Sequence, residues 1–319
     1  MRLKKLMKMV GILTAFSLLL GFYSADATAK EKFEEKFEKT VSIAKDGHVD
    51  LKNISGSIEV KTWDKGEVKI SALKVSKAST LSEAKENAAE VKIVVEKEDS
   101  TLRIRTEYHR KMWKSKSSNV SVQYSLWIPD KASAKIKSVS GGVDLEKIGG
   151  TVDVNVVSGN IDIRKADKGV DCETISGTLE LQDITGDVNL KTVSGRITVE
   201  RIKGSIDAGT VSGGLELRDV SEAKVVKGKV LSGSIVYQGK IIAGGKYTLK
   251  SHSGSIKMIL PSDSAFEFEA KTFSGSIHSD FQITTSGKIN KREIHGVVNN
   301  GGADVNLSTF SGSVYLKKS

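Results

Sequence analysis

The sequence predicts an all-β protein built as a parallel β-solenoid, with two short strands in each coil of roughly 18 residues and an N-terminal insertion that carries strands and one short helix. Three observations lead there. Ser140-Gly141, Ser158-Gly159, Ser176-Gly177, Ser194-Gly195 and Ser212-Gly213 stand 18 residues apart, and a fixed internal period marks units that bury their apolar faces only by stacking on one another. Apolar residues keep the same phase in every unit. The 30 glycines against 2 prolines suit many strands joined by tight glycine corners.

In chain order, residues 1–29 read as an export signal. Arg2, Lys4, Lys5 and Lys8 precede an apolar run over 10–22, and Ala25, Ala27 and Ala29 supply small residues for cleavage. No cysteine lies near that site, so lipid attachment there is not expected. Residues 30–138 hold a first coil, carried by Asn53-Ile54-Ser55-Gly56-Ser57-Ile58-Glu59-Val60, and then an insertion over 61–138. Within the insertion, 68–75 and 91–95 alternate as strands, and 81–90 (LSEAKENAAE) has helix-forming composition. Segments 101–106 and 120–128 also alternate and are expected to pair as a hairpin, with 108–118 as its tip. Residues 139–319 carry the regular repeats.

With the serine of each pair as position 0, apolar residues recur at 3, 5 and 8 and again at 12, 14 and 17. In the second unit these are Ile161, Ile163, Ala166, Val170, Cys172 and Ile175, all expected to face the core. Each coil is therefore two nine-residue modules. Spacing by two within a module is that of a strand with one face inward, and glycine opens the corner. Each strand is expected to pair in parallel with its equivalent one coil away, at about 4.8 Å. Antiparallel hairpins would give no reason for identical positions to recur so regularly. The phase continues more loosely through Ser232, Ser253, Ser274 and Ser311. The long last interval contains 286–302, expected as an exposed loop or hairpin before a final coil.

The formal charge is +10. The four basic residues and one aspartate of 1–29 lie in the leader, which leaves +7. That balance favours anionic envelope polymers or a membrane surface. Export and dispersed charge count against nucleic acid. The single cysteine, Cys172, excludes an intramolecular disulfide, so a large core must hold the chain together.

Several stretches carry a family resemblance: FEKTVSIAKDGHVDLKNISGSIEVKTWD (37–64), YSLWIPDKASAKIKSVSGGV (124–143), the serial Ser-Gly modules, MILPSDSAFEFEAKTFSGSI (258–277), and the closing coil at Ser311-Gly312-Ser313-Val314. Together they resemble the bacterial putative-adhesin domain family over essentially the whole chain after the leader. The resemblance implies a β-solenoid of the cell envelope and carries over no catalytic residue.

Candidate chemistry lies on outward positions. Asp144, Asp162, Glu180 and Glu216 form one acidic column and Asp153, Asp171 and Asp207 another. A divalent cation between rungs is one reading, and compensation by neighbouring basic columns is the other. The calcium-roll nonapeptide also has a nine-residue period, but an apolar residue here stands where its ligating aspartate would be. The sharpest basic cluster is Arg110, Lys111, Lys114 and Lys116 around Trp113, a candidate polyanion site. Lys288, Lys291 and Arg292 form a second. His48, His109, His252, His278 and His295 lack ligand spacing, Cys172 falls at a core position, and the repeated serines read as corner residues. No catalytic, cofactor or metal site is expected. The expected role is exported, adhesin-like and non-catalytic, binding or structural. The alternatives are an accessory factor in envelope-stress signalling, with another envelope protein as partner, and a carbohydrate-active β-helix enzyme with two carboxylates in a cleft.

Overall fold

The computed structural model describes residues 30–109, 119–285 and 291–319. The expected leader lies outside them, as do Arg110, Lys111, Trp113, Lys114, Lys116 and Lys288. Among the described residues, two sheets of thirteen strands each enclose one continuous apolar core. In the central array every strand pairs in parallel with its equivalent 18 residues on. Val152 meets Val170 and Val154 meets Cys172 in one sheet, while Ile161 meets Leu179 and Ile163 meets Leu181 in the other. The predicted parallel β-solenoid is the observed fold.

The interval between inward positions 5 and 8 breaks strict alternation, and the backbone shows why it does so. Ile163 and Ala166 are both buried, and the residue before Ala166, Lys165, is left-handed at φ 65°. Lys147, Asp183, Arg201 and Asp219 repeat this conformation at 50–61° on the neighbouring rungs. The kink spends two outward residues in succession and then returns the next one to the core. A side chain held there costs about 1–2 kcal/mol, against about 0.5–1 kcal/mol for the chain entropy of a glycine. Lys165→Gly is therefore expected to stabilise the protein by up to about 1 kcal/mol. A lower urea midpoint in the variant would count against the strain.

The N-terminal insertion differs from the expected hairpin. Strands Thr101–Tyr108 and Asn119–Pro129 do not pair with each other. The first runs parallel to His48–Ser55 in one sheet, and the second parallel to Ile58–Trp63 in the other. They form a coil stacked outside the first coil and face each other across the core, where the hydroxyls of Thr106 and Tyr124 lie 2.7 Å apart. Alternation tells which residues point inward, but strands that face each other alternate just as paired strands do.

Outside this coil the sheets turn antiparallel. Val91–Glu98 pairs with Thr101–Tyr108, Glu67–Ala78 with Asn119–Pro129, and the edge strand Glu31–Ser42 with Glu67–Ala78. That edge, EKFEEKFEKTVS, is charge-rich, which discourages further strand addition. The expected helix is present as Leu81–Ala89. Thr80 caps it by accepting the Glu83 amide, and Ala84 and Ala88 are buried. Lys74 pins its end by donating to the Ala88 carbonyl at 2.9 Å, and pairs with Glu35 of the edge strand at 3.1 Å.

The C-terminal end departs from sequence order. The coil that is last in sequence is not last in space, because Ala303–Ser311 lies between Lys246–Ser253 and Phe266–Ser274. Strand Glu293–Val298 then covers Phe266–Ser274 in antiparallel fashion. Ser311 stacks in register on both Ser253 and Ser274, so any segment with the corner phase fits any rung. A long connection lets the chain pass outward and return.

Candidate binding face

The strands that lead into each Ser-Gly corner alternate strictly. In Val152–Ser158, Val152, Val154 and Val156 point inward. Parity then sends the next residue out. The expectation that position 17 completes the core is wrong, because Val157, Ile175, Val193 and Val211 are 44–53% exposed. The buried position is one earlier, at Val156, Thr174, Thr192 and Thr210. A threonine is tolerated inside because its hydroxyl finds an acceptor. Thr210 donates to the Gly195 carbonyl of the neighbouring coil at 3.2 Å, and Thr309 to that of Gly254 at 2.8 Å. The glycine corner thus lets a polar residue replace an apolar one in the core, while the apolar residue after it faces solvent.

Those outward residues form one column across the sheet. Val139, Val157, Ile175, Val193 and Val211 are followed in spatial order by Leu231, His252, Phe310 and Phe273. At about 4.8 Å per step the column is about 40 Å long. Its far end is aromatic and ordered. The His252 ring stacks on Phe310 at 4.9 Å and 6° between planes, and Phe273 stacks on the other side of Phe310 at 4.7 Å and 4°. Phe273 is 65% exposed.

Two residues upstream runs a second outward column. It is mixed over most of its length but carries Lys229, Lys250 and Lys271 beside the aromatic end. Between the columns lies an open groove of about 850 Å³, floored by Val230, Ser251, Thr309 and Thr272 and closed at its end by Arg292 and Glu293. Glu269 and Glu293 both pair with Lys271, at 2.8 and 3.1 Å. Glu269 is the first cause of the Lys271 ammonium standing above its ordinary pKa. Among the described residues no carboxylate pairs with Lys229 or Lys250.

The acidic columns are largely compensated. Arg164 holds Asp162 at 3.0 Å, Arg218 holds Glu216 at 2.8 Å, Asn189 donates to Asp171 at 3.1 Å, and Lys135 pairs with Asp153. Among the described residues no group of three or more His, Cys, Asp or Glu side chains is placed to hold a metal. Burial first, and then the Asp162 carboxylate on the next rung, push the Asp144 carboxyl above its ordinary value. The pair stands on successive parallel strands, where a glycosidase would need a walled cleft. Cys172 is buried as expected, and burial pushes its thiol up. His252 and His278 stack separately, on Phe310 and Tyr315. Near the other end, Trp63 and Trp127 sit 6.0 Å apart with Lys65 over the Trp63 ring.

Of the two basic clusters read from the sequence, the one around Trp113 lies outside the described residues, and Arg292 of the other reaches the groove. Sequence reasoning missed the exposed column, although its signal was present. Positions 12, 14 and 16 share one parity and position 17 has the other.

The Toastrack DUF4097 family model matches residues 49–317. No curated protein matches the chain. Among solved structures it is similar to a putative cell adhesion protein from Clostridium sporogenes, at 12% identity over 90% of this chain and 100% of that one, with a TM-score of 0.28. It is also similar to a putative adhesin from Bacteroides fragilis, at 12% identity over 88% and 96%, with a TM-score of 0.40. A putative adhesin from Parabacteroides distasonis matches at 11% identity over 88% and 97%, with a TM-score of 0.31.

Proposed function

The chain belongs to the Toastrack DUF4097 family, and from that premise we propose that it is an exported, non-catalytic binding scaffold of the bacterial envelope whose working surface is the outward apolar column. The carrying observation is the run from Val139 to Phe273, apolar except at His252, on a face where the other outward columns are mainly polar. Soluble monomers rarely leave a contiguous apolar patch beyond about 300–600 Å² uncovered, and a column about 40 Å long reaches that range. A solenoid supplies such a surface cheaply, since one outward position repeated on every rung becomes a stripe. A role in envelope-stress signalling would use the same face with a protein partner. A carbohydrate-active enzyme has weaker support, because Asp144 and Asp162 lie on successive rungs of a regular parallel sheet.

The test replaces Ile175, Val193 and Val211 together by Thr, which keeps strand propensity and removes apolar surface. Association of the protein, produced without residues 1–29, with isolated bacterial envelopes should weaken by at least about tenfold. Its unfolding free energy should stay within about 0.5 kcal/mol per site, as for other surface changes. Full association by the triple variant would remove the column as the working surface.

A further inference from the structure

The aromatic end of the face has a chemistry the rest of the column lacks. Along one side of the groove stand Leu231, His252, Phe310 and Phe273, and along the other Lys229 and Lys250. Both faces of the Phe310 ring are covered, by His252 and by Phe273. Between His252 and Phe273 the wall therefore presents ring edges. A sugar, which lies flat on an aromatic face, finds none free at Phe310, whereas an alkyl chain packs along a row of edges. From Leu231 to Phe273 the row spans three inter-strand steps of about 4.8 Å each, within the reach of a medium-length alkyl chain.

The lysines say which end of such a molecule goes where. Lys229 and Lys250 are direct partners on adjacent parallel strands. Like charges so placed disfavour each other, and an anion bridging the two ammoniums relieves that. Next along this wall comes uncharged Ser308, and then Lys271, already held by Glu269 and Glu293. Positive charge lies uncompensated beside Leu231 and His252 and compensated beside Phe273.

We propose that this groove binds an anionic phospholipid of the membrane surface, with the phosphate between Lys229 and Lys250 and an acyl chain running over Phe310 towards Phe273. This rests on the reading of the face as a binding surface and names what its aromatic end takes. The headgroup is held by two charge-assisted contacts, and the chain gains from each methylene removed from water.

Monomeric dodecyl phosphate is the probe, titrated calorimetrically into the protein without residues 1–29, with inorganic phosphate, dodecyl maltoside and dodecyltrimethylammonium as comparisons. Dodecyl phosphate should bind at least about tenfold more tightly than any of the three. Phe273→Ser with Phe310→Ser, and separately Lys229→Gln with Lys250→Gln, should each weaken it by at least about tenfold. Lys257→Gln, exposed on the other sheet, should leave it unchanged. All these positions face solvent, so the folded protein is available for each measurement. Equal binding of dodecyl maltoside, or binding indifferent to both double variants, would overturn the proposal. So would an absence of dodecyl phosphate binding. If envelope association still depends on Ile175, Val193 and Val211 in that case, the binding face stands and only its lipid ligand is lost.

Discussion

Replacing Gly213 by Ala should destabilise the protein by about 3–5 kcal/mol, at the upper end for a single substitution. Gly213 has φ 147° and packs directly on the coil beneath, so that a Cβ would lie 1.9 Å from the Gly195 carbonyl oxygen. That oxygen belongs to the backbone and cannot swing aside. The coils would have to separate, which stretches the bonds from the Gly195 amide to Ser212 and from the Ile197 amide to Gly214, both at 2.9 Å. Gly195 and Gly233 stand in the same relation to their neighbours, so the corner is a continuous stack of glycines with no room for a side chain. Gly244 supplies the control, with φ 72° and nothing within 4 Å of its Cβ position. Gly244→Ala should cost only the left-handed strain of about 1–2 kcal/mol. Equilibrium urea unfolding separates the two. Equal losses would mean that the contact between coils is not what forbids the side chain.

Leu181→Asp should cost more than about 4 kcal/mol, beyond the loss from truncating a buried leucine. Leu181 is buried between Ile163 and Val199 on the rungs either side, and the column continues to Leu145 and Leu217. A carboxylate there has no cation to meet. The core is shared along the stack, so the effect should spread: amide exchange should accelerate first around Ile163 and Val199 and then in the coils beyond. Burial raises the pKa of the introduced carboxyl in the folded state. The penalty is therefore complete above that raised value, and shrinks as pH falls through it towards the unfolded value of about 3.9. A variant with the wild-type unfolding midpoint at neutral pH would contradict a common core.

What could be read from the residues was local in character. Ile161, Ile163 and Ala166 are inward because apolar residues recur at their positions in each unit, and the helix read at 81–90 follows from its composition. Ile175 was misread because an apolar residue was assumed to seek the core. The hydroxyl of Thr174 takes the inward place, with the Gly159 carbonyl 3.4 Å away. That acceptor lies on another coil, so the exchange is visible only once the coils are stacked. The groove at Phe273 and Phe310 was equally hidden. Phe310 lies 37 residues after Phe273 in the chain, yet it is the rung beside it.

The period, the two strands per coil, the glycine corners and most inward positions were determined by the sequence alone, because each depends on residues a few steps apart and is repeated often enough to average out exceptions. The order of the coils at both ends, the partners of Thr101–Tyr108 and Asn119–Pro129, and the exposed column were decided by tertiary structure. Every coil presents the same ladder of backbone groups and the same corner phase, so pairing chemistry does not distinguish one neighbour from another. Long connections, end strands and shared burial make that choice, and it brought the aromatic rings of three separate segments into one wall.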